Sequence, residues 1–287
     1  MNLLINEIKK ILEKWPITLI AYVVQLTIVM PFGLDLYAIL KNSIGNSIQI
    51  NELTNHYNHT VISDFLSQQG SSIKSLLNLI KYTLVLWLLI STFLNAGILF
   101  STVNNNIKNG ATFFKGCALY FISNLKFNLI FHSLNVIVIT ILFVPFALNL
   151  ESLINYFSSE KYIFIFLMIL LITYAFLFIV IFLWSTVSKL HFIQNNFSIG
   201  KCILLAQKSI INHKLKLFQF IFIITIFQIG LFYLYFVLQS LLNDALTIIL
   251  ILLFLLQQSF MILKIQIKQL IYSGIFRLVN LENDILN

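Results

Sequence analysis

Three polar residues stand close together in a long apolar stretch of the sequence. Asn128, His132 and Asn135 occur at i, i+4 and i+7, a spacing that places them on one face of an α-helix. An imidazole flanked by two amides could relay a proton or bind a polar solute, and polar groups inside a membrane span are functional candidates. The apolar stretches offer no carboxylate to pair with this histidine, and the nearest candidate, Asp35, is expected at the opposite end of the bundle.

Hydrogen bonding between helices explains the same three residues without any chemistry. An interhelical hydrogen bond in a membrane contributes about 0.6 kcal/mol on average. Asparagine is also abundant throughout this chain, so a single asparagine carries little information. We favour this structural interpretation and keep the proton relay as the alternative. The amide partners expected on the other spans are Gln25, Asn95, Gln219 and Gln228.

The remaining motifs that could carry chemistry are weak. His56 and His59 have a spacing that can bind a metal, but a zinc site usually needs three or four protein ligands and no others cluster beside them. The sequence contains no zinc-protease, nucleophile-elbow, P-loop or dinucleotide-binding motif. We therefore expect a protein that is not an enzyme and that has no catalytic residues, no bound metal and no cofactor.

The composition indicates an integral membrane protein. Hydrophobic residues make up 59% of the chain and charged residues only 10%, whereas about a quarter of the residues in a soluble domain are charged. The net charge of +8 does not form a basic stripe on a polar fold. We interpret it as loop charge that orients the protein in the membrane. The expected partners are therefore membrane lipids and not nucleic acid.

Six apolar stretches are long enough to cross the roughly 30 Å hydrocarbon core, which needs about 20 residues of helix. A polar region from about 41 to 78 separates the first stretch from the second and forms a long outer loop. The six predicted spans cover about 17–40, 82–103, 127–148, 162–187, 217–241 and 246–263.

The distribution of basic residues predicts the orientation. Six spans place both termini on one face, and fourteen of the eighteen basic residues fall on that face. Because short cytoplasmic loops carry an excess of Lys and Arg, we predict that both termini are cytoplasmic. The four basic residues on the other face are Lys41, Lys74, Lys81 and Lys161.

A block of residues occurs twice at a fixed spacing of 90 positions. In each copy an apolar run ends at an Asn-Asn pair, passes a glycine, continues as an amphipathic segment with lysines and then enters another apolar run. Residues 1–15 resemble the amphipathic part, and Lys14 stands at the same junction with a span. The first copy contains Asn105, Asn106, Gly110 and Lys126, and the second contains Asn195, Asn196, Gly200 and Lys216.

The repeat predicts an all-α polytopic membrane protein with six transmembrane helices arranged as three hairpins. Each hairpin is preceded by an amphipathic helix that lies at the interface. The chain is then a single integral membrane domain, residues 1–287, with repeat units of about 1–103, 104–193 and 194–287.

The amphipathic segments also carry the candidate lipid contacts. In residues 1–15 an apolar stripe faces the membrane, and Glu7 falls on the polar side with the lysines. Lysines near an anionic surface contribute about 1 kcal/mol each, although their role in orientation already explains their presence. The candidate contacts with lipid headgroups are Lys108, Lys115, Lys201, Lys208 and Lys214.

Several segments resemble a known family. They are LNAGILFSTVNNNIKNGATFFKGCALYFISNLKFNLIF, FIQNNFSIGKCILLAQKSIINHKLKLF and the terminal IFRLVN, together with the long first outer loop. This pattern resembles the YciC-like family of uncharacterised bacterial inner-membrane proteins and, more distantly, the membrane domain attached to some glycerophosphodiester phosphodiesterases. The resemblance implies a multi-pass location in the bacterial inner (cytoplasmic) membrane. It supplies no catalytic residues.

Two functions follow as hypotheses. The first is a non-enzymatic membrane protein that organises lipid or a membrane complex, with a homo-oligomer or a protein partner left open. The second is a transporter for a small solute or lipid, with a cavity between the repeats. Broken helices at matching repeat positions would favour the transporter. Pro31 and Pro145 occupy such positions in the first and third spans, but the fifth span has no proline.

Overall fold

Every regular element in the described part of the chain is an α-helix. The computed structural model describes residues 2–44, 70–104, 109–157, 160–241 and 247–280. The all-α fold class is therefore confirmed. The helices are α1 (Asn2–Glu13), α2 (Trp15–Ile44), α3 (Gly70–Val103), α4 (Gly110–Leu148), α5 (Leu150–Tyr156), α6 (Glu160–Asn195), α7 (Ile199–Leu241) and α8 (Thr247–Asn280).

Six of these helices are long and apolar enough to cross a membrane, which confirms the predicted number of spans. The last span continues well beyond residue 263, where the prediction ended it. Lysine is a good helix former, so Lys264 and Lys268 do not interrupt α8. The spanning segments are Trp15–Ala38, Leu77–Val103, Gly110–Leu148, Lys161–Asn195, Ile199–Ser240 and Ile251–Val279.

The three amphipathic segments join their spans in different ways. A turn at Lys14 separates α1 from α2, and α7 departs from helical geometry at His213, with φ −111° and ψ 16°. By contrast, α4 is one continuous helix of 39 residues, and Pro145 lies inside it. At 1.5 Å per residue this helix is roughly 58 Å long. It therefore extends beyond a hydrocarbon core of about 30 Å.

The buried residues lie at one end of the bundle, which we call the core end. It comprises α1, the N-terminal parts of α2, α4 and α7, and the C-terminal parts of α3, α6 and α8. Phe113, Phe127, Leu94 and Leu183 are among its fully buried side chains. The far halves of the helices are mostly exposed in the single chain, and the most apolar stretch of α6 contains no buried residue. The surface of these far halves is therefore largely apolar.

The helices contact one another in a closed cycle. Within the predicted hairpins, α2 contacts α3, α4 contacts α6, and α7 contacts α8. Contacts of α3 with α4 and of α6 with α7 join successive hairpins. The last helix, α8, contacts α1 and α2. The repeat boundaries stay a prediction, and α3, α6 and α8 also contact one another.

Glycines occur at close contacts between helices at the core end. A methyl group at Gly116 of α4 would overlap the Phe100 ring of α3, and one at Gly274 of α8 would overlap the Phe220 ring of α7. Small residues at such contacts let backbones approach, which matters in lipid because apolar helices gain little from simply leaving it.

Substituting Gly116 by Ala should destabilise the protein. The new methyl group would meet the base of the Phe100 side chain, and overpacking of this kind costs about 1–3 kcal/mol. Gly230→Ala on α7 is the matched control because nothing lies within 4 Å of the added carbon. Thermal unfolding in detergent should show a lower melting temperature for Gly116→Ala. Gly230→Ala should show no decrease. Equal melting temperatures would contradict this close approach.

Candidate functional site

The first helix is attached to the last by a buried carboxylate. Glu7 of α1 is only 1% exposed. It accepts hydrogen bonds from Ser273 Oγ and from Arg277 Nη1, the latter at 2.8 Å, and Lys10 Nζ lies 3.5 Å away on its own helix. Glu7 was assigned to the polar side of α1, and α8 covers it there. Amphipathicity separates polar from apolar side chains, but it does not show that another helix covers part of the polar side.

The surroundings of Glu7 keep it ionised. Burial raises the pKa of the Glu7 carboxyl, but the hydrogen bonds from Ser273 and Arg277 and the positive charges of Lys10 and Arg277 outweigh this effect. The net result is a pKa below the ordinary value. Nearby, Lys14 Nζ donates a 2.6 Å hydrogen bond to the backbone oxygen of Ser101 on α3, and burial lowers the pKa of this lysine. Charged groups therefore tie α1, α3 and α8 together.

The three residues of the predicted polar face on α4 lie in different surroundings. Asn128 lies inside the bundle, where it donates to Thr92 Oγ1 of α3 at 3.1 Å and accepts from Lys189 Nζ of α6 at 2.6 Å. Asn135 donates to the backbone oxygen of Phe131 on its own helix. His132 is exposed. Of the three residues, Asn128 alone is shown to link helices, and its partners are Thr92 and Lys189 rather than the four amides expected.

Sequence reasoning missed other members of this polar cluster. Asn124 donates a 2.7 Å hydrogen bond to the Thr92 backbone oxygen, and its own side-chain oxygen is buried without a partner. Lys189 is half-buried, and its charge is close enough to that of Lys268 on α8 for the two to repel. The i, i+4 spacing of Asn124 and Asn128 and the lysine near the end of an apolar run were the available signals.

The candidate headgroup lysines that the structure describes are all exposed at the core end. These are Lys115, Lys201, Lys208 and Lys214, and Lys201 Nζ lies 4.0 Å from the centroid of the Phe197 ring. Their contact with lipid stays a prediction. The fifth candidate, Lys108, lies outside the described residues.

The predictions about metal binding and cysteines concern different parts of the chain. His56 and His59 fall outside the described residues. Across the helices that are described, no three His, Cys, Asp or Glu side chains come together in a way that could hold a metal ion.

Cys117 and Cys202 are buried free thiols. Their burial makes them poor targets for aqueous thiol reagents, which is useful for labelling experiments.

Comparisons of the chain with family models, curated proteins and solved structures returned no match. The resemblance to the YciC-like family therefore stays a prediction, carried by the segments quoted above.

Replacing Glu7 by Gln should destabilise the bundle and weaken its response to acid. A depressed pKa means that Glu7 stabilises the fold above its unfolded-state pKa and that this stabilisation is lost as pH falls through the folded-state value. Loss of the charge next to Arg277 should cost about 2 kcal/mol near neutral pH. Glu151→Gln, which removes an exposed carboxylate on α5, is the control. Melting temperature measured against pH should fall in acid for the wild type and less for Glu7→Gln. Identical pH profiles would contradict the role of Glu7.

The Asn128–Lys189 contact can be tested by a double-mutant cycle. Asn128→Leu leaves the Lys189 ammonium without its amide partner, and Lys189→Met leaves the Asn128 oxygen unsatisfied, so each should cost about 1–3 kcal/mol. The double variant should cost less than the sum, because neighbouring groups are not additive. His132→Leu, at an exposed position on the same helix, should change little. Chemical unfolding in detergent measures all four, and strict additivity would show that the two residues do not interact.

Proposed function

We propose that this chain is a non-enzymatic, multi-pass protein of the bacterial inner membrane that organises lipid or a membrane complex at the cytoplasmic surface. The observation that carries the proposal is the uneven distribution of packing and charge. Helices are tightly packed and basic at the core end, whereas their far halves expose apolar side chains over most of their length. This is the form of a membrane-embedded platform with one polar face.

The exposed lysines support lipid as the first partner. Lys115, Lys201, Lys208 and Lys214 lie at the core end, and the helices that carry them, α4 and α7, contain no acidic residue. Each such lysine near an anionic membrane surface adds about 1 kcal/mol of attraction. The apolar far halves provide a surface on which acyl chains or a second membrane protein can pack.

The polar cluster between α3, α4 and α6 supports a transporter as the second candidate. Lys189, Asn128 and Thr92 form a connected set of polar groups inside the bundle, and charged residues inside membrane proteins often line a substrate pathway. A transporter has to expose such a site to each side of the membrane in turn.

The orientation is tested by cysteine labelling. In a chain with Cys117 and Cys202 replaced by Ala, a cysteine at Ser71 should react with a membrane-impermeant thiol reagent from the periplasm. Cysteines at Asn109 and Ser198, both exposed, should react only after the cytoplasmic side is made accessible. A cytoplasmic signal at Ser71 would reverse the proposed orientation.

The same labelled background separates the two candidate functions. If the protein is a platform, a cysteine at Asn128 should be shielded from aqueous reagent on both sides, because the cluster is enclosed by α3, α4 and α6. Reaction from each side in turn would instead favour the transporter. Ser123→Cys, half-buried on the same helix nearer the core end, is the control for local opening of that end.

A further inference from the structure

A cleft of about 420 Å³ lies between α7 and α8. This volume falls within the range of about 300–1,000 Å³ that is usual for sites that hold small ligands. Most of the lining is apolar, including Ile229 and Phe232 of α7 and Phe260 of α8. The polar groups that line it include Gln228 of α7 and Lys264 of α8.

The cleft borders the lipid rather than the inside of the bundle. The lining residues Ile229, Phe232 and Leu263 are 63%, 61% and 41% exposed. In a membrane, exposed apolar side chains on the outside of two spanning helices face acyl chains. The natural occupant of a cleft with these walls is therefore a hydrocarbon chain that enters from the side.

The charge at the cleft is unbalanced. Lys264 and Lys268 follow one another by one turn on α8 and repel each other, and Lys268 also repels Lys189. Neither α7 nor α8 contains an acidic residue. Glu7 is already bound by Ser273, Arg277 and Lys10. The two helices that form the cleft thus carry cations and supply no counter-charge.

The position of Lys264 along α8 matches the headgroup of a lipid in the leaflet at the core end. Lys264 lies 17 residues beyond Thr247, where α8 begins, which is about 26 Å along a helix. In a hydrocarbon core of about 30 Å this places its Cα in the leaflet on the core side. A lysine side chain can extend from there toward the interface.

We propose that the cleft binds an anionic phospholipid, with one acyl chain between Ile229, Phe232 and Phe260 and with the lipid phosphate paired with Lys264. The inference deepens the proposed function, since it names one lipid site on a protein proposed to organise lipid. The exposed lysines on α4 and on the first part of α7 attract anionic lipid without selecting a position. The cleft adds a site of defined shape.

The site is tested by native mass spectrometry and thermal stabilisation of the full chain in detergent. The probes are phosphatidylglycerol, phosphatidylcholine with the same acyl chains, and inorganic phosphate. We expect retention and stabilisation with phosphatidylglycerol, weaker effects with phosphatidylcholine and none with phosphate. Equal effects of the two lipids would overturn recognition of charge, and stabilisation by phosphate equal to that by phosphatidylglycerol would indicate a free-anion site.

Two pairs of variants test whether the lipid binds in the cleft. Lys264→Gln should reduce the preference for phosphatidylglycerol about fivefold, which corresponds to about 1 kcal/mol. Lys115→Gln removes the same charge from an exposed position on α4 that attracts anionic lipid without selecting a position, so it should reduce that preference less than Lys264→Gln does. Ile229→Trp should fill the cleft and weaken both lipids, whereas Ile226→Trp, also exposed on α7 but outside the cleft, should not.

The lipid preferences of these variants show whether the cleft proposal alone is wrong or the proposed function is wrong as well. If Lys264→Gln and Lys115→Gln reduce the preference equally, surface charge alone attracts the lipid. The cleft proposal is then wrong and the proposed function stands. If the wild-type chain shows no preference for any lipid, the cleft proposal and the lipid-organising form of the proposed function are both wrong. If Ile229→Trp does not fold, the phosphatidylglycerol preferences of Lys264→Gln and Lys115→Gln still show whether the cleft binds the lipid.

Discussion

A carboxylate near the start of the chain is buried against the last helix, and the closed arrangement of the bundle depends on it. Glu7 and Arg277 are 270 positions apart, yet their side chains meet at 2.8 Å. Separating α1 from α8 would leave the half-buried Arg277 and Ser273 side chains without their carboxylate partner, which is costly. Further hydrogen bonds join the start of the chain to α8. Gln269 of α8 donates to Thr18 of α2, and Tyr22 of α2 donates to Gln258 of α8.

The bilayer explains why packing is concentrated at one end. Lipid is as apolar as leucine, so helices in a membrane associate through close approach at small residues and through polar contacts. Both features occur at the core end, at Gly97, Gly116 and Gly274 and in the cluster around Asn128. The far halves consist largely of leucine, isoleucine and phenylalanine, for which contact with lipid and contact with another helix are nearly equivalent. The cleft between α7 and α8 lies where the packing loosens toward these far halves.

The spans could be predicted from the sequence because crossing a bilayer is a local requirement on length and hydropathy. The partners of individual polar residues could not. Asn128 was expected to bond to another helix, but which helix lies beside it depends on the tertiary arrangement, and the partner is Lys189. Glu7 was assigned to the polar side of α1, since periodicity does not show that α8 covers that side. Lys264 was expected to end the last span, but a lysine can remain within a membrane helix when its side chain reaches a polar environment.

The central claim is that the start of the chain and the last helix close the bundle, and cross-linking in native membranes tests it most directly. In a chain that keeps Glu7 and has Cys117 and Cys202 replaced by Ala, cysteines at Thr18 of α2 and Gln269 of α8 should form a disulfide under mild oxidation, because these side chains are hydrogen-bonded. Cysteines at Leu19 and Gln269 should not, because Leu19 is exposed on another side of α2. Efficient cross-linking of the first pair alone is the predicted result. No cross-link at the first pair, or equal cross-linking of both pairs, would contradict this closure.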